Sequence, residues 1–126
     1  MLFDSIDFKA MEAGLNALNT KQQVISQNLS NIDTPGYKAK EVSFGEVLEK
    51  ELSDEDLSDN SQKDYSFETR VTQTDNTYFT TDGNNVDTDK ESLELYSTYL
   101  QSSAIIQKLN STVGNYQYVL TNASFR

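Results

Sequence analysis

The run Asn28-Leu29-Ser30-Asn31-Ile32-Asp33-Thr34-Pro35-Gly36-Tyr37-Lys38 constrains this chain most, because it ends a long heptad helix in a turn that holds the only proline. Upstream, Phe8, Met11, Leu15, Leu18, Gln22, Ile25, Leu29 and Ile32 alternate spacings of three and four. That is the stripe of a helix that lies along another helix. Thr34, as the residue before proline, is pushed out of the helical region. Pro35-Gly36 suits the central positions of a type II turn, in which the glycine takes a positive φ. A helix from about Ser5 to Asp33 follows, with Asp4 and Asp7 near its positive end. Gly14 inside it either marks a close helix approach or is a tolerated glycine costing up to about 1 kcal/mol relative to alanine.

A second helix starts after the turn cluster Asp82-Gly83-Asn84-Asn85. Thr88-Asp89-Lys90-Glu91 reads as a capping box with Thr88 as N-cap, and the helix runs to about Thr121. Its stripe is Leu95, Tyr99, Ser102, Ile106, Leu109, Val113, Tyr116 and Leu120. The residues expected to pack between subunits are Leu15, Leu18, Ile25, Leu29, Ile32, Ile106, Leu109, Val113, Tyr116 and Leu120. Leu93, Tyr96, Leu100, Ile105 and Val119, with Ala10, Ala17 and Val24, fall outside the two stripes and leave apolar surface for further partners.

Between the helices the chain is polar. Seven acids lie between Glu46 and Asp59, and Ser53–Asp64 has almost nothing to bury. Tyr65–Thr81 is rich in Thr, Tyr, Phe and Val, and with a turn at Asp75-Asn76 it is expected to form a small β-hairpin. The expected fold is mainly α: long N- and C-terminal helices form an antiparallel coiled-coil-like pair joined by a polar segment. The pieces are a core helix in 1–34, the turn, acidic loop and hairpin in 35–86, and a core helix in 87–126, all in one structural domain.

Only 36% of the 126 residues are apolar, and the mean hydropathy is -0.64, so a large globular core is not expected. A net charge of -10, with ten basic residues scattered among twenty acidic ones, argues against nucleic acid and against direct lipid binding. Cysteine and histidine are both absent, which removes disulfides, thiolate metal sites and the usual base and nucleophile. The acids of the middle segment lack an apolar frame that would separate their pKa values for acid-base work. No enzyme activity and no cofactor are expected. Asp82–Asp89 offers closely spaced oxygen ligands for calcium, but Val86 and Asp87 stand where an EF-hand loop wants a ligand and a glycine. A turn followed by a helix cap explains the same residues. Asn28, Ser30, Asn31 and Asp33 form either a ligand-binding set or, the favoured reading, the polar finish of a helix bonded to its turn. The N-terminus has no basic segment leading into an apolar core, so no cleaved secretory signal is expected.

The run Gln23–Lys38 resembles the N-terminal motif of the bacterial flagellar basal body rod protein family. The short length, the position of that motif, and Asp82-Gly83-Asn84-Asn85-Val86-Asp87 before the last helix are most similar to its proximal rod members. The likeness covers roughly residues 8–45 and 82–126. It implies a structural subunit of the basal body rod, placed on the periplasmic side of the inner membrane and exported by the flagellar type III apparatus. It also implies as partners copies of itself, other rod proteins, the adaptor between membrane ring and rod, and the export gate. Phe44-Gly45-Glu46-Val47-Leu48 is similar to the Phe-x-x-x-apolar signal of early export substrates, with Phe44 and Leu48 as the recognised pair; packing against a helix is the other reading. Thr34, Pro35, Gly36 and Tyr37 would then fix subunit shape. The alternatives are another short flagellar axial protein, or a helical binding module or secretion chaperone.

Overall fold

The computed structural model describes residues 5–44, 68–75 and 81–123. Helix α1 spans Ile6–Ser30, strand β1 Lys40–Ser43, strand β2 Arg70–Gln73 and helix α2 Thr88–Asn122. The helices pack against each other, and the strands form one antiparallel pair with Lys40 opposite Gln73 and Ser43 opposite Arg70. Asn28 bonds to Glu91 and Gly14 lies against Ile105, so the helices run antiparallel. The acidic tract, Leu48, and residues 65–67 and 76–80 of the expected hairpin lie outside the described residues.

α1 starts with the Phe8 and Lys9 N–H groups donating to the Ser5 carbonyl, both at 3.1 Å. It ends three residues earlier than Asp33. Asn31 takes the C-cap position, and its side-chain amide donates to the Gln27 carbonyl at 2.7 Å while its oxygen accepts from the Thr34 hydroxyl at 3.1 Å. A type II turn follows: Tyr37 N–H donates to the Thr34 carbonyl at 3.2 Å, and Gly36 has φ +69°.

Three expectations need correction. The N-cap of α2 is Asp87, not Thr88; its carboxylate accepts from the N–H groups of Asp89 and Lys90, at 3.0 and 3.2 Å. The shift by one releases Glu91 from capping and turns it inward. β2 pairs with β1, a strand the sequence reading did not foresee; the turn expected at Asp75-Asn76 runs beyond the described residues.

The third correction concerns the helix faces. Gly14, Ala17, Val24 and Asn28 are buried, so the face of α1 inside the fold sits one position before Leu15, Leu18, Ile25 and Leu29. Ile25 alone of the expected stripe is buried with them, while Leu15, Leu18, Leu29 and Ile32 are half-buried. On α2 the inward residues include Glu91, Thr98 and Ile105. At about 100° per residue the expected stripe is rotated from this face by roughly 50°. Leu109 and Val113 are half-buried, whereas Ile106, Tyr116 and Leu120 are exposed. Ala17, Val24 and Ile105, expected to remain on the surface, belong to the contact instead. Gly14 explains part of the rotation: a Cβ built on it would already lie 3.4 Å from Ile105 Cδ1, so the helices approach closely at this point.

Candidate functional site: a buried amide junction and an outward apolar face

Asn28 has no exposed surface. Its amide donates to the Lys40 carbonyl at 2.8 Å and to Glu91 Oε1 at 3.0 Å. Its oxygen accepts from Lys40 N–H at 3.0 Å and from the Tyr37 hydroxyl at 3.2 Å. Two donors and two acceptor sites are all that an asparagine side chain offers, and each is used. One residue of α1 thereby fixes the start of β1, the residue after the Pro-Gly turn, and the first turns of α2.

Asn84 and Asn85 complete the junction from the other side. The Asn84 amide lies 2.9 Å from the carbonyls of Asn31, Ile32 and Thr34, so it gathers the carbonyls of the turn that follows α1. Its oxygen accepts from Val86 N–H at 2.8 Å. Asn85 accepts from Ala39 N–H and donates to the Thr74 carbonyl, both at 2.6 Å, and so ties the two strand ends together. Gly36 N–H donates to the Asp82 carbonyl at 3.0 Å, and Lys38 Nζ to the Gly83 carbonyl at 2.7 Å. Asp82 accepts from Asn84 N–H at 3.2 Å, so this acid, like Asp87, serves a turn or a cap. The two motifs singled out in the sequence, around Pro35 and around Asn84, are the two halves of one buried joint.

Burial raises the Glu91 carboxyl above its ordinary range, while the bond from Asn28 and the charge of Lys90 pull the other way. Burial and then the nearby Glu91 charge raise the Tyr37 phenol. Beside Glu91, a cavity of about 180 Å³ is lined by Lys21, Lys40, Glu41, Lys90 and Glu94. Its acids are held: Glu94 pairs with Lys21, and Glu41 with Lys90 at 2.6 Å. These bonds hold elements in place.

The outward side of α2 differs. Leu93, Tyr96 and Leu100 lie on one stripe opposite α1 and are 71%, 62% and 49% exposed. Tyr99 and Ile106 flank the stripe, and Tyr118, Val119 and Leu120 leave the last turns largely uncovered. An ordinary surface helix turns its apolar stripe inward. Here the inward stripe carries Glu91 and Thr98 and the outward one carries leucine and tyrosine. Closer to the sheet, Gly14, Ala17, Leu18, Phe44, Ala104 and Ile105 line an apolar groove of about 520 Å³ between α1, β1 and α2.

The sequence reading placed Thr34, Pro35, Gly36 and Tyr37 in a turn, but took Asn84-Asn85 for a loop and Glu91 for a cap residue. A buried amide has no periodicity, and its partners lie up to 63 positions away. Phe44 is half-buried in the groove.

The family model described as "Flagella basal body rod protein" matches residues 10–38, from α1 through the Pro-Gly turn. The chain is 36% identical to the flagellar basal body rod protein FlgB of Bacillus subtilis (strain 168) over 118 residues, which is 88% of this chain and 90% of that protein. It is 28% identical to FlgB of Aeromonas hydrophila over 113 residues, 84% of this chain and 86% of that protein.

Proposed function

Since this chain belongs to the flagellar basal body rod protein FlgB family and is a structural subunit of the proximal rod, we propose that it works by docking the outward apolar face of α2 onto neighbouring subunits while the amide junction holds the subunit's shape. The observation that carries this reading is the exposure of Leu93, Tyr96 and Leu100 on the side of α2 away from α1. Exposed apolar surface of this kind costs solubility in a free chain and is covered in an assembly.

The neighbours are copies of the chain, the other rod proteins, and the adaptor joining rod to membrane ring, on the periplasmic side of the inner membrane. Leu15, Leu18, Leu29, Ile32, Ile106, Leu109, Val113, Tyr116 and Leu120 contribute where they remain accessible. Ile25 is 3% exposed and belongs to the chain's own interior. The work is mechanical and not catalytic. Passage through the type III export gate rests on Phe44 and Leu48. Because Phe44 sits half-buried in the folded chain, the gate reads it before folding.

Deletion of the gene and complementation test this function. Deletion removes rod and hook and leaves the membrane ring, and the native chain restores both. Leu93→Asp with Leu100→Asp, two exposed positions, retains the helical circular-dichroism signal but restores neither rod nor swimming. Full motility with that variant overturns the docking role of this face.

A further inference from the structure

A rod extended by copies of one chain needs two different, complementary patches on each copy, because a head-to-tail contact continues where a two-fold contact closes. Two largely apolar patches stand at different places on this chain. One is the groove of Gly14, Ala17, Leu18, Phe44, Ala104 and Ile105. The other is the end of α2. Among the described residues, Tyr116 and Thr112 are the last of α2 seen to line a cavity with the start of α1. Beyond them Gln117–Asn122 adds about 9 Å of helix at 1.5 Å per residue. Within it Tyr118, Val119 and Leu120 are 71%, 61% and 70% exposed.

Charge selects these two patches for each other. At a net charge of -10 two copies repel each other over most of their surfaces. Residues 109–125 contain no charged side chain, and among the described residues lining the groove the one charge, Lys21, is paired with Glu94. Tip and groove can therefore meet without desolvating an unpaired charge.

We infer that the Tyr118-Val119-Leu120 tip of one copy seats in the α1/β1/α2 groove of the next, making the copy-to-copy contact head-to-tail. This rests on the rod function stated above.

The absence of native cysteine makes a clean test. In a deletion strain complemented with Ala104→Cys/Val119→Cys, the two new thiols lie fifteen residues apart on one helix, about 22 Å. A disulfide spans no more than about 7 Å between Cα atoms, so any bond between positions 104 and 119 joins two copies. Oxidation of basal bodies is expected to give a reducible ladder of dimers, trimers and larger species, absent from either single variant. Motility without a ladder overturns the contact and leaves the rod function standing, whereas a deletion strain that still builds its rod overturns that function. Should the paired variant not assemble, the purified chain decides. Leu120→Asp and Ala104→Glu, each monomeric alone, are expected to form a one-to-one dimer and nothing larger when mixed; a mixture that sediments as monomers overturns the contact.

Discussion

Replacing Asn28 by aspartate changes one atom's chemistry at the centre of the junction. The nitrogen that donates to Glu91 Oε1 at 3.0 Å and to the Lys40 carbonyl at 2.8 Å becomes an oxygen facing both acceptors. A hydrogen bond to a charged group contributes about 1.5–3 kcal/mol and one to a carbonyl about 1 kcal/mol, and each buried acceptor is then left without its donor. Together with two carboxylates forced into contact, the loss is about 3–5 kcal/mol. A domain of this size has about 5–15 kcal/mol in all. Urea unfolding followed by circular dichroism at the helical band is the assay. With a slope of about 1–3 kcal/mol per molar urea, the midpoint falls by at least about 1 M, or the chain is unfolded without urea. Glu91→Gln in the same chain supplies an amide donor to the new carboxylate, so the double variant is more stable than Asn28→Asp alone, with a coupling of at least about 1 kcal/mol. A loss under about 1 kcal/mol for Asn28→Asp, or strictly additive effects in the double variant, refutes the role of Asn28 as the shared partner of strand and helix.

Glu91 makes an unusual contribution to pH dependence. Its folded-state value is raised above the ordinary 4.5, so between the two values the folded chain holds a proton that the unfolded chain has released. Its contribution therefore grows more favourable as pH falls through that window, and levels off below about 4.5. The stability of the native chain relative to Glu91→Gln, measured by urea titration from neutral pH down to about 4.5, should rise; a flat difference contradicts the burial argument. Asn84→Ala leaves the carbonyls of Asn31, Ile32 and Thr34 without their shared donor and should cost about 2–4 kcal/mol in the same assay, with faster hydrogen exchange at Thr34 and Tyr37. Gly36→Ala meets no atom within 4 Å but keeps φ near +69°, so its cost is conformational, about 1 kcal/mol, and a neutral result would mean that the turn changes type.

Both helices could be read from local signals. Apolar spacing and Pro35 placed α1 within three residues of its end, and the Asp82-Gly83 turn with the capping-box pattern from Thr88 to Glu91 placed the start of α2 within one residue of its cap. What spacing could not give was rotation. A three-four stripe identifies apolar side chains, and in a chain that buries its apolar surface alone those side chains face inward. Here Asn28 and Glu91 occupy the inward face because their bonds set it, and Gly14 lets the helices close on it. Leu93, Tyr96 and Leu100 were read as surface for partners, and they are exposed; Ile105, read with them, is turned inward. β1 escaped notice because Lys40-Glu41-Val42-Ser43 is short and mostly polar, and its partner strand lies about thirty residues away along the sequence.

Ser43 and Arg70 face each other across the two-stranded ladder, so the chain leaves the junction and returns to it at neighbouring points. Whatever spans residues 44–69 closes a loop between ends already held about 5 Å apart. For a flexible connection, doubling its length costs only about 0.6 kcal/mol, less than a single buried hydrogen bond of Asn28 contributes. The ladder thus acts as a socket. Segments of different length and chemistry can be carried there on the same helical frame, and the subunit's outer contour can diverge while its joint stays the same.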